Sequence, residues 1–386
     1  MKYKRELVVP RRAFFLFGPR GTGKSTWIKQ NFPHSLLIDL LSNATYLDHL
    51  KDPSLLKKEA LAYSPDTWII IDEIQKITAL LNEVQDLMEN HGYKRFALTG
   101  SSARKLRRDG GNLLAGRAIL KQLFPLTFEE LNYSISVEQA LNYGTLPASV
   151  NAASNEDRID FLASYVETYL REEIREEGLV RRLESFARFL DVASLAAAQV
   201  TNLQSLARDS GVGRNSVRSF FSILEDTLMG CWLPAYRPRA KVKEIAHPKF
   251  YWFDTGVLRA AAGGFRQPLP SDWQGRMLET WLFHELSAYI HYHACGGELS
   301  YWRTPSGSEV DFIWQKGSAL VAIEAKAAKS YQTKFTAGIK ALGENLKIKN
   351  RFVVYLGEKI LKDGDIHIVP AAIFAKMLSK GDVIGG

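Results

Sequence analysis

Cysteine is nearly absent from this chain: Cys231 and Cys295 are the only two in 386 residues. Two thiols cannot build a disulfide framework and here lack the spacing of a zinc site, so a reducing compartment, the cytoplasm, is expected. Long apolar runs are missing as well. No uncharged stretch approaches the roughly 18 residues of a membrane span, and Phe14-Phe15-Leu16-Phe17 is too short for a secretory signal, so the chain is expected to be neither exported nor inserted in a membrane. Neither sign of charge dominates. Fifty Lys and Arg stand against 42 Asp and Glu, and the net +8 favours contact with a polyanion without establishing it. Large apolar side chains, by contrast, are plentiful. Twenty Phe, 15 Tyr and 8 Trp within a 46% apolar composition exclude wholesale disorder, and the length predicts two or three globular domains.

The first motif follows a short apolar strand, Arg12 to Phe17. Gly18-Pro19-Arg20-Gly21-Thr22-Gly23-Lys24-Ser25 has the P-loop pattern, with a helix expected from near Thr26. Glycines let backbone N–H groups turn inward around phosphate oxygens and the helix N-terminus adds a positive dipole. The nucleotide-contacting set is therefore Gly18 through Thr26, with Lys24 on the β and γ phosphates and Ser25 on Mg²⁺. A second strand, Trp68 to Ile71, ends in Asp72-Glu73. Asp72 is expected to hold the Mg²⁺ through water or Ser25, and Glu73 to polarise the attacking water. That pair argues for ATP hydrolysis and against a P-loop kinase, which must exclude water. A third strand, Arg95 to Ser102, ends in hydroxyl residues, and Gly116-Arg117 precedes a further strand, Ala118-Ile119-Leu120.

This order of parts resembles the AAA-type ATPases. The resemblance implies that Thr99 or Ser101 senses the γ-phosphate. It also implies that Arg117 is the finger completing a neighbouring subunit's site, and hence a homo-oligomer, a ring or spiral.

From about Leu131 the pattern turns helical, and Arg158 to Leu170 repeats apolar residues at three- and four-residue spacing, which suits a lid over the nucleotide. Leu203, Leu206 and Ala207, then Ser210-Gly211-Val212, then Val217, Phe220, Phe221 and Leu224 suit a helix-turn-helix that sends Arg214, Asn215 and Arg218 outward. Tyr236 to Lys243 reads as a basic wing, comparable in charge density only to Arg104-Lys105-Leu106-Arg107-Arg108. Such a winged helix can bind duplex phosphates without sequence readout, but it is often a packing module.

Past a loop holding Pro268 and Pro270, a helix over Gly275–Leu286 is followed by three strands, Leu299–Arg303, Glu309–Trp314 and Ala319–Lys326. The last two are joined by a tight turn at Gly317-Ser318. With those as the central turn residues, Asp311 falls opposite Glu324 and Lys326 opposite Glu309. Opposed side chains have Cβ atoms about 5 Å apart, close enough for two carboxylates to share a divalent ion; alternatively Lys326 and Glu309 form an ordinary cross-strand ion pair.

Asp311, Glu324 and Lys326 resemble the core motif of the restriction-endonuclease-like superfamily, with Val310-Asp311 in place of its Pro-Asp. That resemblance implies Mg²⁺ or Mn²⁺ on Asp311 and Glu324, a further helical acid at Glu279, and a catalytic Lys326. The whole chain resembles prokaryotic AAA-type ATPases with such a C-terminal domain, Asp254-Thr255-Gly256 and Trp302-Arg303-Thr304 included. The expected fold class is α/β. It comprises an ATPase domain over 1–132, a helical lid plus winged helix over 133–262, and a restriction-endonuclease-like domain over 263–386. The expected function is ATP-driven processing of DNA; the alternative is a regulatory ATPase whose C-terminal domain only binds nucleic acid or protein.

Overall fold

The computed structural model describes residues 3–101, 113–170, 183–236, 247–266, 270, 272–344 and 346–384. The basic stretch Arg104 to Arg108, Ser102, Pro268 and the wing residues Arg237 to Lys243 lie outside them. The chain forms two compact units. One is Leu7–Phe124 with Asp226–Leu228; the other is Met1–Glu6, Pro125–Glu225 and Met229–Gly386.

The first unit is built on five parallel strands: β1 (Phe14–Phe17), β2 (Leu36–Asp39), β3 (Ile69–Asp72), β4 (Phe96–Gly100) and β5 (Ile119–Gln122), in the order β2-β3-β4-β1-β5. The central strands β1, β3 and β4 are buried along their whole length, as strands covered on both faces must be. On one face Phe15, Phe17, Ile69, Ile71 and Leu98 meet Leu80, Val84 and Leu87 of α4 (Leu80–Asn90), and α2 (Asn43–Lys51) and α3 (Leu55–Ala60) complete that layer. On the other, Phe14 packs edge-on against Trp27 of α1 (Lys24–Asn31), with Phe32 and Trp68 beside it. Each fully buried side chain of this size contributes about 1.5–3 kcal/mol. Helix α1 starts at Lys24, ahead of the expected Thr26, because left-handed Gly23 already serves as its N-cap.

In the second unit, α5 (Val137–Tyr143), α6 (Pro147–Asn151), α7 (Asn155–Ser164) and α8 (Leu183–Leu195) lead to α9 (Leu203–Ser210) and α10 (Arg214–Asp226). Between the last two, Gly211 takes a left-handed φ of 63° and Val212 N–H bonds back to Ala207 O at 3.1 Å, closing the turn expected there. Leu206, Val212, Val217, Phe221 and Leu224 are buried, while Arg214, Asn215 and Arg218 are exposed. Strands β6 (Gly230–Leu233) and β7 (Lys249–Trp252) pair antiparallel beneath them. The helices expected to cover the nucleotide contribute Leu162, Tyr165, Phe186 and Phe189 to a single core that runs on into the C-terminal region.

That region carries α11 (Thr255–Ala261), the long α12 (Trp273–Tyr292), and a mixed sheet of β8 (Glu298–Arg303), β9 (Glu309–Lys316), β10 (Ala319–Lys326), β11 (Asn350–Tyr355), β12 (Leu361–Asp363) and β13 (Ile366–Pro370). Helices α13 (Ala337–Gly343) and α14 (Ala371–Ser379) complete it. The sheet order is β12-β13-β11-β10-β9-β8. Phe312, Trp314, Val321 and Ile323 join the core that includes Trp281 of α12, while Ile313, Leu320 and Ala322 pack with Ile339 and Leu342 of α13 on the other face.

Asp254-Thr255-Gly256 acts as a clasp between the helical region and α11. The Asp254 carboxylate accepts from Val257 N at 3.0 Å, as an N-cap, and from Thr145 N at 2.8 Å across 109 residues. A Cβ on Gly256 would sit 2.3 Å from Tyr143 O. Gly256→Ala is therefore expected to cost about 1–3 kcal/mol by overpacking against backbone. Gly275→Ala, in a helix with nothing within 4 Å of the added carbon, should be neutral or slightly stabilising. Calorimetric melting of both variants reads the difference; equal melting temperatures would remove the clasp from the account.

Candidate functional site

The P-loop of the first unit is shaped by Gly21 and Gly23, at φ 83° and 94°, conformations that side-chain-bearing residues rarely adopt. Thr22 Oγ1 donates to Pro19 O at 2.9 Å, and buried Lys24 folds its ammonium onto Gly18 O at 2.8 Å and Pro19 O at 3.3 Å. Because Gly23 brings no side-chain cap to α1, the helix N-terminus is shaped for an anion. A Cβ on Gly18 would meet Leu123 O at 2.4 Å, so the loop also needs glycine to lie against the chain leaving β5. Arg20 and Thr26 are exposed and Ser25 is half-buried.

Since β4 lies between β1 and β3, the end of β4 stands between the P-loop and Asp72-Glu73. Thr99 Oγ1 bonds the Asp72 carboxylate and accepts from Glu73 N at 3.2 Å. Glu73 has φ 62°, a strained backbone for a residue with a side chain, and its carboxylate accepts from Gln75 Nε2. Gln75 also reaches Ser101 Oγ at 3.3 Å. Asp72, Glu73, Thr99 and Ser101 are thus linked through these contacts. Gln75, which joins two of them, was not singled out from the sequence, where it is one polar residue in a short helical turn. Arg117 is exposed and pairs with Glu89 at 2.5 Å.

The second cluster lies in a cleft of about 570 Å³ over the β9–β10 hairpin. The hairpin register is the expected one from Lys316–Ala319 through Phe312–Ile323, and the ladder stops there, one pair short of Asp311–Glu324. On its other side β9 is bulged, Ser300 pairing with Ile313 but Trp302 with Val310. The bulge re-aims Asp311: its Oδ2 accepts from Ala325 N at 2.9 Å in place of a ladder bond. The alternative Lys326–Glu309 pair does not form. Lys326 instead bonds Glu324 Oε1 at 2.5 Å, and Glu309 pairs with Lys249 at 2.7 Å, with Arg303 at 3.7 Å.

Lys249 is the residue sequence reading missed. It lies on β7, 62 residues from Asp311, and nothing local distinguishes it from other lysines. Only 3% exposed, its ammonium stands 3.1 Å from Glu279, 2.7 Å from Glu309 and 3.4 Å from Asp311. Burial works against its charge, but Glu279, Asp311 and Glu309 outweigh it and hold the pKa well above that of an ordinary lysine. Burial, then the neighbouring Asp311, pushes Glu279 up to about 7, and the same two causes raise Glu324 well above the usual carboxylate range. Tyr251 donates to Glu279 at 2.9 Å.

Among the described residues no three His, Cys, Asp or Glu side chains are grouped to hold a metal, so Glu279, Asp311 and Glu324 do not form a ready three-carboxylate cage. The donor chemistry still fits a hard cation. Glu324 Oε2 is buried with no hydrogen-bond partner, an acceptor left to be satisfied beside a second carboxylate.

An AAA domain family matches residues 10–132. The chain carries a P-loop AAA-type ATPase domain. Two domains of unknown function, DUF8612 and DUF4143, match residues 135–267 and 274–374. Uncharacterized protein Rv2008c of Mycobacterium tuberculosis is 26% identical over 353 residues, 89% of this chain and 76% of that protein. Uncharacterized protein MJ1544 of Methanocaldococcus jannaschii is 20% identical over 414 residues, 96% and 88% of the two chains. Among solved structures, the Walker-type ATPase PABY2304 of Pyrococcus abyssi aligns with 64% of this chain and 90% of its own at 14% identity, with a TM-score of 0.44. That likeness is too weak to place any residue. No helix among the described residues is long and apolar enough to cross a membrane.

In the ATPase domain the Gln75 amide reaches Glu73 only because residue 100 is glycine: a Cβ there would lie 2.5 Å from Gln75 Oε1. Gly100→Ala is expected to displace the amide, leave nucleotide affinity within about twofold, and slow ATP turnover about tenfold, a loss of some 1.4 kcal/mol. Wild-type turnover in this variant would exclude a working role for the Gln75 contact.

Proposed function

We propose that this chain hydrolyses ATP in an oligomer and acts on DNA through a divalent-metal-dependent phosphodiesterase site in its C-terminal region. In the ATPase domain, Lys24 would neutralise the β and γ phosphates with the P-loop amides holding them, and Ser25 and Asp72 would hold Mg²⁺, which would supply charge stabilisation to the transferring phosphoryl group. Glu73 polarises the attacking water, with Thr99 keeping both acids in register. Arg117 leaves its exposed ion pair with Glu89 to complete a neighbouring copy's site. An exposed pair of this kind is worth only about 0–1 kcal/mol and is readily exchanged.

Lys24→Ala is expected to lose ATP binding, whereas Glu73→Gln should bind ATP and hydrolyse it roughly 10²- to 10⁴-fold more slowly. Arg117→Ala should behave like Glu73→Gln, and mixing the two should restore part of the turnover, because one interface then holds an intact Glu73 and an intact Arg117. Equal loss of ATP binding in Lys24→Ala and Glu73→Gln would refute the role given to Glu73; no rescue on mixing would refute the finger.

The observation that carries the C-terminal reading is that Asp311 and Glu324 line one cleft, with Glu324 Oε2 buried and unsatisfied and Lys326 bonded to its other oxygen. Asp311 and Glu324 would hold the metal, which supplies Lewis-acid activation of the scissile phosphate. Lys326 offsets the negative charge that grows on phosphorus oxygens as water adds and the ester oxygen departs. Exposed Arg214, Asn215 and Arg218 at the start of α10 support duplex phosphate contact in the same unit. With Mn²⁺ and supercoiled plasmid, the wild type should nick DNA. Asp311→Ala and Lys326→Ala should not, each keeping its ATP turnover. Retained nicking in both variants, or none in the wild type at any divalent ion tried, would leave the regulatory ATPase as the standing reading.

A further inference from the structure

The cleft over β9 and β10 holds more acid than the proposed metal site uses. Glu279 on α12, Glu309 at the start of β9 and Asp311 all point an oxygen at one atom, Lys249 Nζ, at 3.1, 2.7 and 3.4 Å. Lys249 is almost wholly buried, on a strand that shares no local sequence with any of them, and its ammonium also lies 5.4 Å from the Tyr301 ring centroid. Tyr301 is the residue of β8 opposite the bulge that re-aims Asp311. One ammonium is therefore enclosed by three carboxylates from two elements and an aromatic face. That is the environment of a bound cation, with spacings suited to N–H···O bonds rather than to the roughly 2.0–2.2 Å of a small divalent ion.

Removing the charge at 249 leaves Glu279, Glu309 and Asp311 facing one another without the ammonium that now separates them. Glu279 and Glu309, 17% and 27% exposed, have room to close on a divalent ion.

We propose that Lys249 is a built-in cation: its ammonium fills a position between Glu279, Glu309 and Asp311 that a divalent ion would otherwise take, so the cleft holds one ion fewer than its carboxylates could bind. The inference rests on the cleft being a cation site, as read above, but not on that site being a nuclease. It also gives a physical reason for the absence of a three-carboxylate cage among the described residues.

The test counts Mn²⁺ bound to the intact, nucleotide-free chain by calorimetry and by electron paramagnetic resonance, in wild type, Lys249→Gln and Lys249→Arg. Sites elsewhere contribute equally to all three. Lys249→Gln should bind one more Mn²⁺ than the wild type, and Lys249→Arg, which keeps the charge, no more. In melting experiments Mn²⁺ should raise the transition of Lys249→Gln by several degrees more than that of the wild type. If Lys249→Gln is insoluble, Lys249→Met, which keeps the apolar stem of the side chain, removes the charge and leaves all three carboxylates in place, carries the same expectation. An unchanged ion count in the folded variant overturns the proposal. The two readings fail separately: one ion in both proteins sinks the role of Lys249 and leaves the metal site standing. No ion at the cleft in the wild type but one in Lys249→Gln sinks the nuclease reading and leaves Lys249 as the built-in cation.

Discussion

An ionised carboxylate taken out of water costs several kcal/mol unless a positive charge or strong donors come with it. The second unit buries Asp311 and Glu324 side by side and brings Glu279 to the same cleft. Much of the unit's local architecture answers that cost. The bulge in β9 turns Asp311 onto the Ala325 amide, β7 delivers Lys249, and Tyr251 supplies a hydroxyl to Glu279. These donors arrive from separate elements, so the cleft forms only once α12, β7 and the hairpin have packed into one core. The remaining deficit shows in the raised Glu279 and Glu324 and in the unsatisfied Glu324 oxygen.

The ATPase domain handles charge differently. Its anion site is made from backbone, at left-handed Gly21 and Gly23 and the uncapped start of α1, and needs no buried ion pairs among side chains to exist. Beside that site the strained residue is Glu73, left-handed, with its amide and carboxylate each held by a neighbour, Thr99 and Gln75. A strained backbone persists where its surroundings over-determine it, and here the strand order does so by laying the end of β4 against the end of β3.

The single core from the helical region to the C-terminal sheet follows from two close approaches. Gly144, at φ 68°, leaves room for the Asp254 carboxylate, and Gly256 lets α11 lie against the Tyr143 carbonyl. Family matches divide residues 135–267 from 274–374, yet the packing joins them, because neither segment's apolar face is covered without the other.

Local chemistry was legible in the sequence because it depends on residues close together along the chain. The P-loop, the strand ending in Asp72-Glu73, the Gly211 turn and the hairpin register at Gly317-Ser318 are each set by a few neighbouring φ angles and side-chain periods. What only the tertiary structure decided are the meetings of distant residues: Gln75 with Ser101 across two strands, Asp254 with Thr145, and above all Lys249 with Glu279, Glu309 and Asp311. A lysine's role is set by which carboxylates surround it and how little water reaches it. Neither is encoded within a few residues of Lys249, and the bulge that aims Asp311 at the cluster depends on how β8 pairs with β9.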